Sequence, residues 1–204
     1  DSGVLDVDTS AATIFHSDGA FLKGNLVDGV YTGKDGSEYP YQVCVFTVDR
    51  IHLENGLAVR LVGSNALSLR TRENGNLWIG TNLDASGSDA SGTSGGTGII
   101  GGWNGGRADR DGGGPGRGKT SGNDGSGAGY GGDGRNWSDY GKSYGDHALS
   151  HLLGGSGGGG GDYSGGGAGG GAIELVADGN GTLTIAEGTT LAVNGGDAHS
   201  NDQG

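Results

Sequence analysis

Leu67-Ser-Leu69, Asn74-Gly-Asn-Leu-Trp-Ile79 and Leu83-Asp-Ala-Ser-Gly87 are answered, beyond a glycine-dense tract, by a second series. It reads Ile173-Glu-Leu175, Asn180-Gly-Thr-Leu-Thr-Ile185 and Leu191-Ala-Val-Asn-Gly195. The two series agree in order, in spacing and in side-chain type. Each alternates apolar residues over a short run, then turns at Gly or Asn. A rung of a β-solenoid has this form, because side chains at i and i+2 point inward before the chain rounds a corner. The fold expected is therefore mainly β with almost no α-helix: a short β-solenoid interrupted by a long glycine-rich insertion. A β-sandwich gives the same density of short strands and stands as the alternative.

Upstream, the same rhythm continues. Val, Ile, Leu, Phe and Tyr cluster or alternate over residues 20–26, 29–32, 41–48, 50–53 and 57–62, separated by Asp-Gly and Asn-Gly turns. Residues 1–19 form a leader or edge strand. Residues 20–85 form the β-strand domain, 86–171 the insertion, and 172–204 the returning rung and C-terminal tail. Only Asp146-His-Ala-Leu-Ser-His-Leu-Leu153 has a helical cast, with Asp146 as cap for two turns and Gly154 as stop.

The insertion holds most of the chain's 52 glycines. A Gly/Ser-rich run is by default a flexible linker. The other outcome is a bundle of polyproline II helices, in which only glycine lets neighbouring backbones touch. Aromatic residues punctuate the tract, its other residues are diverse, and it runs directly into the returning rung. These features predict an ordered insertion. Trp103, Tyr130, Trp137, Tyr140, Tyr144 and Tyr163 are its candidate contacts for a partner or a glycan, since aromatic rings offer rigid contact area. The bland reading is that they plug the glycine layer. Asn136-Trp-Ser138 and Asn180-Gly-Thr182 have the form of glycosylation acceptors, which makes Asn136 and Asn180 candidate sites.

Composition restricts function more than it assigns it. A net charge of −12 opposes nucleic-acid binding, which needs a basic surface. No apolar run reaches the ~20 residues of a membrane-spanning helix. The chain has no Met, even at position 1, and is expected to be processed or cut from something larger. Its one cysteine, Cys44, lies in the apolar run Tyr41-Gln-Val-Cys-Val-Phe-Thr-Val48 and is expected to be a buried hydrophobe. No cofactor is implied. Structural Ca²⁺ is open, because Asp6/Asp8, Asp84/Asp89 and Asp109/Asp111 supply paired oxygens without matching a calcium-loop pattern. His147 and His151 share zinc spacing but lack an evident third ligand. Gly113-Gly-Pro-Gly-Arg-Gly-Lys-Thr120 spells a phosphate-binding loop, yet no strand precedes it and no helix can follow it. No pair of carboxylates suggests catalysis, and Glu54, Glu73, Glu174 and Glu187 mark no site.

Residues 165–196 carry Gly-Gly-Gly-Ala-Gly-Gly-Gly-Ala-Ile-Glu-Leu-Val-Ala, then Leu183-Thr-Ile185, and close on Asn194-Gly-Gly196. This stretch resembles glycine-rich bacterial secreted and surface proteins with a GGGAIxLxAxGxLTI…ANGG signature. Asp28-Gly-Val-Tyr31, residues 51–59 and residues 77–87 extend the similarity upstream. A weaker similarity is to the glycine-rich tail-tip adhesins of phages. The first resemblance implies a secreted or surface-exposed module and offers no catalytic residue to carry over. The role expected is an extracellular structural or adhesive module, part of a surface fibre, matrix or appendage. It is expected to associate with itself or with neighbouring domains that cover its last rung. The alternatives are a phage-type receptor-binding adhesin, a carbohydrate-binding or carbohydrate-active β-helix protein, and an ice-binding protein.

Overall fold

The computed structural model describes residues 3–120, 125–134, 140–146 and 148–199. Among these it has thirteen strands and no helix. They are β1 (Val4–Asp8), β2 (Thr13–His16), β3 (Phe21–Lys23), β4 (Asn25–Thr32), β5 (Glu38–Val48), β6 (Ile51–Leu53) and β7 (Ala58–Val62). Then come β8 (Ala66–Thr71), β9 (Leu77–Ile79), β10 (Leu83–Asp84), β11 (Ile173–Val176), β12 (Leu183–Ile185) and β13 (Leu191–Ala192). The chain is mainly β, arranged as four separate sheets.

Successive stretches of chain stack in parallel. β8 lies between β5 and β11, which aligns Cys44, Leu67 and Ile173 in one column and Phe46, Leu69 and Leu175 in the next. β9 lies between β6 and β12, with columns Ile51–Leu77–Leu183 and Leu53–Ile79–Ile185. β10 pairs with β13, Leu83 opposite Leu191. Three tiers result: β5–β7 below, β8–β10 in the middle and β11–β13 above. The repeat read from the sequence is this stacking of upper tier on middle tier. The columns fill a single core of Cys44, Phe46, Leu67, Leu69, Leu77, Ile79 and Leu83, with Val7 and Leu61 beneath. Burial of such side chains contributes on the order of 1.5–3 kcal/mol each.

At the lower end β4 and β1 flank β5 and β7, while β6 is left as an edge strand. β4 runs antiparallel along the outer edge of β5 from Glu38 to Val45. β1 runs parallel to β7 and belongs to an antiparallel meander with β2 and β3.

The described residues of the tract between the middle and upper tiers pack backbone against backbone. Gly154, Gly157 and Gly160 face the carbonyls of Gly101, Asn104 and Arg107, and a Cβ at these glycines would lie 2.4, 2.0 and 2.1 Å from them. Gly167 and Gly170 meet the carbonyls of Gly196 and Val193 in the same way, at 2.0 and 1.9 Å. Each contact recurs every third residue. Backbone hydrogen bonds tie the runs together, among them Gly155 N–H to Gly170 O (2.7 Å), Gly158 N–H to Gly167 O (2.9 Å) and Gly166 N–H to Gly106 O (2.8 Å). Glycine is required because a side chain would occupy the place of the neighbouring backbone.

Both ends of the tract are fixed to the β-core. Ala85, Gly87 and Ala90 donate to the carbonyls of Ala192, Asn194 and Asp197. Ile100 is fully buried; its N–H bonds to Gly63 O (2.8 Å) and its carbonyl accepts from Ala172 (2.7 Å). The helix expected over residues 146–153 is not present among the described residues. Leu149 adopts φ 51°, a left-handed conformation that stops helical propagation. The Asp146 carboxylate accepts the Ser150 N–H (3.2 Å), so its capping power stabilises a lone turn instead. His147 lies outside the described residues.

Candidate functional site

The outward face of the sheet formed by β4, β5, β8 and β11 does not lie flush against the glycine bundle. A cleft of about 1390 Å³ separates them. Strand alternation decides its floor: Cys44 and Phe46 turn into the core, so Val43, Val45 and Thr47 turn out into the cleft beside Val27. The opposite wall is backbone, including Gly155, Gly158 and residues 167–171. Tyr41, Leu149 and His151 line it as well. Tyr41 Oη lies 2.9 Å from His151 Nδ1. Gly29, opposite Tyr41 on β4, leaves room for the ring, since a Cβ there would sit 2.3 Å from it.

Three polar side chains meet at the cleft where the middle and upper tiers join. The same alternation turns Ser68, Arg70 and Glu174 outward from the core columns. Ser68 Oγ donates to Glu174 Oε2 (2.5 Å), and Arg70 donates to the same oxygen through Nη2 (2.7 Å) and Nε (3.1 Å). Arg70 Nε also donates to Ser68 Oγ (2.9 Å). One Glu174 oxygen thus holds both a guanidinium and a hydroxyl. The trio is a tie between tiers and brings charge to the cleft through Arg70 and Glu174. Sequence reading passes over Glu174. The signal lay in the repeat itself, which places Glu174 over Ser68 and one step from Arg70.

Several of the aromatic residues singled out in the sequence fasten the bundle to the β4–β5 hairpin. Trp103 stands edge-on to Tyr39, ring centroids 6.4 Å apart. Tyr144 is buried and donates its hydroxyl to Gly154 O (2.5 Å). Burial pushes that hydroxyl well above the usual tyrosine range. Its ring meets Tyr130 at 4.9 Å and Tyr31 at 6.0 Å, both edge-on. Tyr130 reaches Leu153 O (3.3 Å). Tyr140 lies under the Lys142 ammonium, 3.6 Å from its ring centre. Tyr163 stands apart and is 71% exposed. Trp137 and Asn136 lie outside the described residues. Asn180 is exposed on the turn between β11 and β12, and its N–H bonds to Asn74 Oδ1 (3.1 Å). Tyr31, Tyr39 and Tyr41, which the sequence did not single out, are the hairpin's half of this arrangement.

The paired aspartates serve local geometry. Asp6 holds Arg60 (2.6 Å), Asp8 accepts from Ser10 and Ala11, and Asp84 accepts from Ser86. Burial pushes the Asp111 carboxyl up, but Lys119 at 2.8 Å and the Thr120 N–H hold it below the usual range overall. That ion pair also occupies the lysine of the sequence resembling a phosphate loop. Among the described residues no group of three or more His, Cys, Asp or Glu could hold a metal ion, and no helix is long and apolar enough to cross a membrane.

Among the described residues β11, β12 and β13 each pair only on the side of the middle tier. Along that junction, side-chain oxygens of the middle tier accept backbone N–H groups of the upper tier. Asn74, Asn76 and Asn82 accept from Asn180, Thr182 and Thr190, while Ser86 and Asp89 accept from Asn194 and Asp197. No known protein family, curated protein or solved structure matches the chain.

Proposed function

We propose that the chain is an extracellular structural or adhesive module, part of a surface fibre, matrix or cell-envelope appendage. It is built as a short β-solenoid that carries a bundle of polyproline II runs. The observation that carries the reading is the in-register parallel stacking of three tiers, with the glycine tract leaving after one tier and returning at the start of the next. Parallel tiers support a solenoid over a sandwich, whose strands run antiparallel. Contacts recurring at every third glycine support polyproline II, which has three residues per turn. The side chains that tie the tract down are mostly spent on holding it, as in a stiff scaffold. The resemblance of residues 165–196 to secreted glycine-rich proteins supports the setting, and the sealed Cys44 thiol suits oxidising surroundings. Antibody labelling of intact source cells tests the proposal: decoration of the exterior is expected, and labelling only after permeabilisation overturns it.

The cleft favours a second reading, in which the module also captures a glycan or a surface receptor. Tyr163, exposed on the bundle, and the Thr47 floor are the places to probe. Binding on a glycan array that is lost in Tyr163→Ala or in the cleft-filling Thr47→Trp supports this reading. Binding untouched by both places the ligand elsewhere and removes it.

A further inference from the structure

Hydrogen bonding along residues 166–171 has a period of three. The N–H groups of Gly166 and Gly169 bond to Gly106 O and Trp103 O, both at 2.8 Å. Those of Ala168 and Gly171 bond to Ser88 O (3.2 Å) and Ala85 O (2.8 Å). In a run with three residues per turn these are two of its three faces. The third face carries the N–H groups of Gly167 and Gly170, which have no partner among the described residues. Both glycines are buried, and both line the cleft between the sheet and the bundle. Buried backbone donors are rarely left unpaired, so the cleft has two places for an acceptor. The neighbouring run, residues 154–160, uses all three of its faces, through Gly157 and Gly160, through Gly155 and Gly158, and through Gly159.

Three features point to what fits there. The two donors are three residues apart, about 9 Å in a polyproline II run. Carbonyls of a second polyproline II strand recur at the same interval, one for every third residue. Gly155 and Gly158 supply the room, as a bare ridge beside the donors: a Cβ on them would lie 3.1 Å from Gly170 N and 3.6 Å from Gly167 N. The floor supplies the third feature. Val43 and Val45 offer no side-chain acceptor, so a strand with N–H groups of its own would bury some of them unpaired. Proline brings a carbonyl and no N–H, and its ring suits an aliphatic floor. From Tyr41 to Thr47 the floor is about 20 Å long, which is room for about six such residues.

We infer that the cleft binds a proline-rich polyproline II segment of a second protein, whose carbonyls accept from Gly167 and Gly170 and whose rings lie on Val43 and Val45. A further copy of this chain is not the occupant. The sequence has two prolines, Pro40 within β5 and Pro115 alone in the tract, and so no proline-rich segment to offer. A glycan is the poorer occupant, because its hydroxyls would be buried against valine. The inference rests on the polyproline II reading of the tract and on the second reading above, that the cleft captures a partner, and it narrows that partner to a polypeptide.

The probe is fluorescein-labelled octaproline, titrated with the full chain and followed by anisotropy. Saturable binding is expected, weakened about tenfold or more by Gly158→Ala, which sets a methyl group beside the Gly167 N–H, or by the cleft-filling Thr47→Trp. Gly158 takes no positive φ and Thr47 is exposed, so both variants keep the fold, which circular dichroism checks. A Gly-Ser peptide of the same length should bind about tenfold more weakly, since it is flexible and carries N–H groups. In amide spectra of the complex the Gly167 and Gly170 resonances should move downfield while those of Gly166 and Gly169 hold. No binding at millimolar octaproline overturns the inference. So does binding indifferent to both variants, equal binding of the Gly-Ser peptide, or a complex in which the Gly167 and Gly170 amides do not move. Glycan-array binding lost in Thr47→Trp, together with no octaproline binding, would sink this inference and leave the second reading standing; absence of both would remove the two together.

Discussion

Gly157 and Gly158 are neighbours in a run of glycines, and no feature of the sequence tells them apart. A Cβ on Gly157 would sit 2.0 Å from Asn104 O, whereas one on Gly158 would find its nearest atom at 3.6 Å, facing the cleft. Gly158 does not take a positive φ, so alanine fits its backbone. Gly157→Ala should therefore cost on the order of 1–3 kcal/mol through forced separation of two backbones. Gly158→Ala should be neutral or stabilising by about 0.5–1 kcal/mol, because the unfolded chain loses freedom. Chemical denaturation of the pair measures the difference, and equal stabilities would mean that the tract is not packed as described. Cys44 gives a second test at this scale. The thiol is fully buried, and burial, with the Asp8 carboxylate, pushes it up to about 11 from 9.0. Native protein at pH 8 should react with iodoacetamide far more slowly than unfolded protein. Between those two pH values the folded chain keeps a proton that the unfolded chain releases. Stability should be unaffected by this group below pH 9 and fall as the pH rises towards 11, which unfolding curves across that window would show.

At the scale of elements, what was legible in the sequence was the pairing of β8–β10 with β11–β13. Two series of alternating residues with matched turns have only one register that stacks the leucines and isoleucines of one on those of the other. The parallel pairing of β5 and β6 with the middle tier was less legible, because Tyr41-Gln-Val-Cys-Val-Phe and Ile51-His-Leu share no repeat beyond alternation. Ser68, Arg70 and Glu174 were not recognised as a group, since an outward serine and two outward charges carry no motif until the strands are stacked. The ties between tiers differ in worth according to burial. Thr71 is 1% exposed; its hydroxyl donates to Gly75 O (2.7 Å) and accepts the Asp178 N–H (3.3 Å). Thr71→Val loses both bonds at a buried side chain and should cost about 1–3 kcal/mol. Asn76 Oδ1 accepts the Thr182 N–H (3.0 Å) in an exposed position where water can substitute. Asn76→Ala should cost only about 0.5 kcal/mol, and Asn76→Asp less, because the acceptor remains. Thermal unfolding of the three variants orders them, and a larger loss for Asn76→Ala than for Thr71→Val would contradict the argument.

For the whole molecule the question is why a quarter-glycine chain holds one arrangement. Glycine loses the most conformational freedom on folding and brings no side chain to offset it. The bundle is therefore stable only while it is anchored, and the anchors are few: Ile100 in the core, the backbone ladder beside residues 192–197, and the aromatic contacts with the β4–β5 hairpin. None of the hairpin contacts could be read from the sequence, because Tyr31 and Tyr144 are separated by more than a hundred residues and nothing local in either marks the other. Tyr144 is the centre of that anchor, with its ring between Tyr31 and Tyr130 and its hydroxyl on Gly154 O. Tyr144→Phe keeps the rings in contact but leaves a buried carbonyl unpaired, at a cost of about 1–3 kcal/mol. Tyr144→Ala removes the ring as well and should cost about 3–5 kcal/mol, the usual range for a buried aromatic. The decisive readout is cooperativity rather than magnitude. The core columns of the β tiers do not include Tyr144, so its loss should release the bundle from the hairpin while the tiers remain folded. Wild-type protein should unfold in one transition by tryptophan fluorescence and by far-ultraviolet circular dichroism. Tyr144→Ala should split it into an early loss of bundle structure and a later loss of β-structure near the original midpoint. A single transition shifted as a whole would instead show that bundle and tiers share one cooperative unit held together by the Ile100 anchor and the backbone ladder alone.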